Sequence, residues 1–178
     1  SYAHPGMIPS FEAASIKELP VDLALGQRTA MDVLSNNDEN ATMEMWYRLL
    51  NCGFRVAISA GTDAFTNVAD HYIAGAGRVY VRTGPKFDYP AWLEGFRQGR
   101  SFASNGPVVT LEANGKAPGD EIHLESEGEV AVQATVVTQT PLDRVELVVN
   151  GRAVPPEPVE GKAVIEFLDP IPVGLERA

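Results

Sequence analysis

FRVAISAGTDAF, residues 54–65, is the stretch that decides how the first half of this chain is expected to fold. Residues 54–60 are mostly apolar and predict a buried strand, which ends in a glycine turn at Gly61. In βα architectures the carboxyl end of a strand is where functional side chains are placed. Asp63 is therefore either a ligand for a divalent cation, with Thr62 hydrogen-bonding a neighbouring ligand, or the cap of the following turn.

AHPG, residues 3–6, has a similar form near the start of the sequence. His4 leaves a short strand, and the Pro-Gly pair that follows turns the chain away. Imidazole is a common ligand of divalent metals, so His4 is a candidate metal ligand. Taken alone, a histidine in this position is more often structural.

Three further polar residues either contribute to the same pocket or lie away from it. His71, in VADHY, approaches the site from the side or lies in a surface loop. Asn105, in SNGP, forms a turn or points back toward the pocket. His123, in the predicted strand EIHLE, is expected to be structural or solvent-facing.

Strand and helix patterns alternate through the rest of the first half. Strands are predicted at VDLALG (21–26) and GRVYVRTG (77–84), and MDVLS (31–35) is either a continuation of the first of these or a separate strand. Helices are predicted over NNDENATMEMWYRLLNCG (36–53) and YPAWLEGFRQGR (89–100), because apolar residues recur there at helical spacing. This alternation is typical of a βα architecture.

The helix over 36–53 has recognisable ends. Asn40 or Thr42 can serve as its N-cap, and Gly53 stands where a left-handed residue ends a helix. The residues that share one face are Met45, Leu49 and Cys52. Cys52, the only cysteine, is therefore expected to be a small buried hydrophobe, and no disulfide can form within the chain.

From Val108 onward the pattern changes to short alternating strands separated by turn residues. Asn-Gly pairs at 114–115 and 150–151 predict tight hairpin turns. We therefore expect two units: a βα unit over 1–107 and a small β-sandwich over 108–178.

Composition and charge exclude several classes of partner. The chain has 178 residues, enough for one ordinary domain or two small ones. It carries 24 Asp and Glu against 14 Lys and Arg, a net charge of −10. Such a surface repels phosphate backbones and anionic lipids, so binding to nucleic acid or to a membrane is not expected.

The two short motifs together resemble a known family. HPG at 4–6 followed by GTDA at 61–64 is similar to motifs of the polymerase-and-histidinol-phosphatase (PHP) superfamily of metal-dependent hydrolases. Further stretches resemble its CehA/McbA branch, the carbaryl-hydrolase-like metallohydrolases. They are WYRLLNCG (46–53), GRVYVRTG (77–84), GRSFASNGP (99–107) and PLDRVELVVNG (141–151). The resemblance extends from His4 to about Gly151.

The resemblance implies a fold and a set of ligands. The fold would be the C-terminal part of a distorted (β/α)7 barrel followed by a small Ig-like β-sandwich. Divalent metals, zinc or manganese, would lie at the carboxyl ends of the barrel strands. His4 and Asp63 match metal ligands of the family, Asp63 would also orient or deprotonate the attacking water, and Thr62 would support the ligands.

The implied activity is metal-assisted hydrolysis of an ester, carbamate or phosphoester bond in a small-molecule substrate. The family's first motif, His-X-His, has no match here, and Phe65 stands where many members have the histidine of Asp-X-His. We therefore expect the remaining ligands to lie upstream in a larger parent protein, and this chain alone to have little or no activity.

Two rival interpretations remain open at this point. One is a non-catalytic module that contacts protein or carbohydrate through its sandwich. The other is a homodimer, because part of a barrel leaves an open strand edge that a second copy would bury.

Overall fold

The computed structural model describes residues 1–5, 18–27, 29–35, 38–68, 72–154, 164–167 and 170–173. The helices in these ranges are α1 (Leu19–Ala24), α2 (Glu39–Asn51) and α3 (Tyr89–Arg97). The strands of the first half are β1 (Ala30–Leu34), β2 (Ala57–Ala60), β3 (Arg78–Val81) and β4 (Ser101–Ser104). The strands of the second half are β5 (Val108–Ala113), β6 (Gly128–Val137), β7 (Leu147–Val149), β8 (Arg152–Val154), β9 (Val164–Phe167) and β10 (Pro170–Val173).

Three parallel segments lie side by side at the start of the fold. β1 pairs with β2 in parallel. On the other side of β1, Tyr2 forms a parallel bridge with Met31, in which the Tyr2 amide donates to the Ala30 carbonyl (2.6 Å) and the Asp32 amide donates to the Tyr2 carbonyl (3.0 Å). The carboxyl ends of all three segments therefore meet at one edge.

Helices α1 and α2 pack with the sheet to form an apolar core. Its buried members are Leu19, Leu23, Met31, Met45, Leu49 and Val56. The Trp46 indole N–H donates to the Val56 carbonyl at 3.0 Å, which ties α2 to the segment that leads into β2. This hydrogen bond therefore fixes the position of β2 relative to α2, and with it the position of the residues that follow β2.

The ends of α2 are confirmed at one terminus and corrected at the other. Gly53 has φ +84° directly after the helix, as predicted. The N-cap is Asp38, whose Oδ1 accepts from the Ala41 amide at 3.0 Å, and not Asn40 or Thr42. The carboxylate one residue before the helix reaches that amide directly, so the helix begins two residues earlier than a cap at Asn40 would give and four earlier than a cap at Thr42 would give.

Two local predictions were wrong. VDLALG (21–26) was predicted as a strand, but α1 covers most of it: Leu19 and Leu23 are one helical turn apart and both buried. A short apolar run does not distinguish a strand from a buried helix, and Pro20 in the first turn favours the helix. Cys52 is exposed, because it lies at the end of α2 beyond the last residues that the sheet covers.

Strands β3 and β4 form an antiparallel pair that α3 covers. α3 is capped by Asp88, whose Oδ2 accepts from the Ala91 amide at 2.8 Å. Gly95 lets this helix approach β3 closely, since a Cβ there would lie 3.0 Å from the Arg82 carbonyl oxygen. The Ser101 hydroxyl donates to the Ile58 carbonyl at 3.3 Å, so β4 lies beside β2.

The second half is antiparallel throughout the described ranges. β6 is the central strand and pairs with β5, β9 and β10, while β7 and β8 form a separate hairpin. Both predicted Asn-Gly turns are confirmed: φ is positive at Asn114, Gly115, Asn150 and Gly151. Four residues of β6, at alternating positions, are buried: Val130, Val132, Ala134 and Val136.

The predicted fold class, the C-terminal part of a (β/α)7 barrel followed by an Ig-like sandwich, is wrong. The described strands form small separate sheets, and no barrel is closed among them. The physical reason lies at β3 and β4, which pair antiparallel with each other, whereas a barrel needs each strand to continue one parallel ladder. The fold is a small mixed α/β arrangement, and the division at 107 and 108 stays a prediction.

Candidate functional site

The parallel sheet brings the two predicted metal ligands to the same edge. His4 follows the segment that bridges to β1, and Asp63 lies three residues beyond the end of β2. Neighbouring strands are about 4.8 Å apart, so the backbones of these two segments, separated by β1, are about 10 Å apart. An imidazole and a carboxylate can reach toward each other across such a gap.

Both residues have an unusual backbone conformation. His4 has φ +32° and Asp63 has φ +51°. The other described non-glycine residues with positive φ are the two turn asparagines, Asn114 and Asn150. This conformation costs about 1–2 kcal/mol for a residue with a Cβ, and such residues concentrate at functional sites. The strain therefore marks the two positions that the sequence motifs had singled out.

The segment that carries His4 is held in place by side-chain contacts as well as by the sheet. The Tyr2 hydroxyl donates to Glu18 Oε2 at 2.8 Å, and this hydrogen bond raises the pKa of the Tyr2 phenol. His4 itself is half-buried, and its Nδ1 is buried without a hydrogen-bond partner in the described part of the chain. A buried ring nitrogen in this state is available to a ligand.

Asp32, in the middle of β1, is a third candidate that the sequence analysis missed. The residue is 7% exposed, and its Oδ1 is also buried without a described partner. Because side chains alternate along a strand, Asp32 faces away from the side on which Met31 packs against the helices, and it pairs in register with the buried Ser59. The available signal was a carboxylate inside the otherwise apolar stretch AMDVL.

Burying a carboxylate oxygen without a partner is costly unless a cation compensates it. Imidazole nitrogen and carboxylate oxygen together form a donor set that suits zinc or manganese. His4, Asp32 and Asp63 therefore offer the donor types that a divalent ion binds, and two of their atoms lack described partners. In the part of the chain that the structure describes, however, no three His, Cys, Asp or Glu side chains lie close enough together to hold a metal.

Among the described residues, the Thr62 hydroxyl hydrogen-bonds backbone groups and not the side chain of a candidate ligand. Its hydroxyl accepts hydrogen bonds from the amides of Gly75 (2.9 Å) and Gly77 (3.1 Å) and lies 3.3 Å from the Gly77 carbonyl oxygen, to which it donates. It thereby joins the end of β2 to the chain that returns toward β3.

The remaining residues considered from the sequence lie elsewhere. Asn105 is exposed in the turn after β4. His71 falls outside the described residues. His123 is exposed and outside the strands, with its Nε2 3.6 Å from Glu121 Oε2. Phe65, which stands where many members of the PHP superfamily have the histidine of Asp-X-His, is 51% exposed.

Comparisons of the chain with models of protein families, with curated proteins and with solved structures find no match. The resemblance to the PHP superfamily therefore stays a prediction. Among the described helices, none combines the length and the apolar character that crossing a membrane requires.

Proposed function

We propose that this chain supplies part of the site of a divalent-metal-dependent hydrolase related to the PHP superfamily. His4 and Asp63 are the proposed metal ligands, and Asp32 is added to them on structural grounds. The observation that carries the proposal is that His4 and Asp63 follow the two parallel segments that flank β1, at the same edge of the sheet, and that both have positive φ. The unpartnered Nδ1 of His4 and Oδ1 of Asp32 support it.

The proposed reaction is hydrolysis of an ester, carbamate or phosphoester. A divalent ion held there would lower the pKa of a water molecule and polarise the bond that is cleaved. His4 and Asp32 would hold the ion through Nδ1 and Oδ1, the atoms that lack described partners. Asp63 orients the attacking water through its carboxylate and accepts its proton.

Two surface features bear on the substrate. The net charge of −10 repels polyanions over long range, which favours a small substrate over a nucleic acid. Apolar side chains follow Asp63 along the chain and are exposed: Phe65, Val68 and Ile73. Their position in the chain, soon after Asp63, favours a substrate with an apolar group.

Calorimetric titration with Mn²⁺ and with Zn²⁺ tests the proposal. We expect one ion to bind, more weakly than in a site with four ligands, and the affinity to fall at least about tenfold in His4→Ala and in Asp63→Asn. His123→Ala is the matched control, because that imidazole is exposed and distant in the chain from the strand ends. Absence of binding, or binding that survives both substitutions, would overturn the proposal.

An activity assay tests whether the site is complete. With p-nitrophenyl acetate and p-nitrophenyl phosphate in the presence of Mn²⁺, we expect turnover no higher than that of Asp63→Asn. Chelator-sensitive turnover that is lost in Asp63→Asn would show instead that this chain is an independent hydrolase, and that its ligands are sufficient.

A further inference from the structure

The Thr62 hydroxyl joins the end of β2 to the segment that leads into β3. It binds the amides of Gly75 and Gly77 at 2.9 and 3.1 Å and the carbonyl of Gly77 at 3.3 Å. One donor and two acceptor positions are what a hydroxyl offers, so these three contacts use its full capacity. Thr62 is half-buried: its two contacts with Gly77 are partly shielded from water, whereas its contact with the Gly75 amide is exposed.

Close backbone packing keeps these partners within reach. A Cβ on Gly77 would lie 2.5 Å from the Gly61 carbonyl oxygen and 3.3 Å from that of Leu34. The Gly61 amide in turn donates to the Leu34 carbonyl at 2.9 Å. The end of β1, the end of β2 and the start of β3 are therefore in backbone contact, and only glycine fits at position 77.

Asp63 follows Thr62 directly and has φ +51°. Aspartate tolerates this left-handed conformation better than most residues, yet the conformation still needs a restraint to be uniquely populated. The three hydrogen bonds of Thr62 fix the residue on the amino side of Asp63, so they limit the directions in which the Asp63 backbone can leave β2.

We propose that Thr62 is a positioning residue for Asp63: by binding the backbone of Gly75 and Gly77, it holds Asp63 in its left-handed conformation at the edge that His4 shares. The consequence for metal binding rests on the proposed function. The conformational part of the inference does not, because it concerns only the chain's own backbone.

The first experiment measures the conformation of Asp63 without metal. Thr62→Val keeps the shape of the side chain and removes the hydroxyl, while Thr62→Ser keeps the hydroxyl. Thr83→Val is the matched control, because within the described ranges the Thr83 hydroxyl hydrogen-bonds just the adjacent Gly84 carbonyl, at 3.4 Å. The readouts are the Cα and Cβ chemical shifts of Asp63, which report on left-handed φ, and the exchange rates of the Gly75 and Gly77 amides.

In Thr62→Val we expect the left-handed shifts of Asp63 to be lost and the two glycine amides to exchange about fivefold faster, the factor that corresponds to the net contribution of one hydrogen bond. Thr62→Ser and Thr83→Val should match the unsubstituted protein. Unchanged Asp63 shifts in a folded Thr62→Val would overturn the inference. If that variant does not fold, nuclear Overhauser effects from the Thr62 side chain to both glycine amides in the unsubstituted protein decide it: their presence supports the inference and their absence overturns it.

The second experiment measures Mn²⁺ affinity in the same variants. Loss of a group that orients a metal ligand weakens metal binding by about 10- to 100-fold, so we expect such a loss in Thr62→Val and its recovery in Thr62→Ser. Equal affinity in Thr62→Val and the unsubstituted protein would overturn the inference. If the unsubstituted protein takes up no Mn²⁺, the proposed function fails, while the Asp63 shifts still decide the positioning role.

Discussion

At the scale of one residue, Asp32 shows how a buried carboxylate affects the stability of the protein that carries it. Its carboxylate is held in an apolar strand, and one of its oxygens is buried without a described partner. A neutral amide of the same shape loses less hydration on burial than a carboxylate does. In the metal-free protein, Asp32 is therefore a source of instability that a bound ion would relieve.

Asp32→Asn is expected to stabilise the metal-free protein by about 1 kcal/mol and to weaken Mn²⁺ binding. Urea unfolding in the presence of a chelator measures the first effect, and calorimetric titration measures the second. Asp143→Asn, at an exposed position, is the control and should change neither. A loss of stability in Asp32→Asn would mean that the carboxylate has a structural partner and is not held for a cation.

The sequence identified His4 and Asp63 because each stands in a short motif at the predicted end of a strand. It did not identify Asp32, since a single carboxylate in AMDVL looks like the polar position of an alternating strand. That this oxygen lacks a partner depends on how β1 lies between two neighbours. The positive φ of His4 and Asp63 was equally invisible, whereas the positive φ of Asn114 and Asn150 followed from the glycine after each.

At the scale of elements, the N-cap of α2 differs between the sequence-based prediction and the structure. The sequence predicted Asn40 or Thr42 as the N-cap. In the structure the cap is Asp38, whose carboxylate accepts a hydrogen bond from the Ala41 amide. Helix boundaries are often misplaced by a few residues, because several polar residues in succession can each serve as a cap.

Asp38→Ala is expected to lower the free energy of unfolding by about 1 kcal/mol, because it removes the cap. Asn40→Ala is the matched control and should change stability by no more than about 0.5 kcal/mol, since this exposed residue lies inside the helix. Both are read by urea unfolding. A larger loss in Asn40→Ala than in Asp38→Ala would show that the helix begins later than described.

A second feature at this scale is a cavity between α2 and the strands β5, β6 and β7. Its volume is about 520 Å³, and its lining includes Trp46 and Leu50 of α2, Leu147 of β7, and Val132 and Ala134 of β6. An apolar space of this size leaves its lining without contacts on one side. Added methyl groups pointing into it should therefore be favourable.

Ala134→Val is expected to raise the free energy of unfolding by about 0.5–2 kcal/mol, by filling part of the cavity and by favouring the strand. Ala131→Val separates the two effects, because Ala131 lies on the same strand with its side chain exposed, and should give only the smaller strand effect. Thermal unfolding followed by circular dichroism compares the two. An equal or smaller gain in Ala134→Val would contradict the description of the cavity.

At the scale of the whole molecule, the sequence predicted most elements but not their assembly. The strands at 31–35, 54–60 and 77–84 and both long helices are present, with shifted ends. The barrel failed because periodicity indicates a strand without indicating its neighbour: nothing in GRVYVRTG shows that β3 pairs antiparallel with β4. The homodimer that would bury an open strand edge stays a prediction.

The proposed function requires a divalent ion to bind at the edge where the carboxyl ends of the parallel segments meet. The chain also offers an acidic surface, with exposed glutamates such as Glu125, Glu127 and Glu129, to which any cation is attracted. The measurement must therefore locate the ion as well as detect it.

Paramagnetic broadening of backbone amide signals during titration with Mn²⁺ does both. We expect the amide signals of His4, Asp32 and Asp63 to broaden first, at Mn²⁺ concentrations well below the protein concentration. Asp63→Asn should remove this effect. Broadening that begins at residues 125–129, with His4 and Asp63 unaffected, would contradict the account.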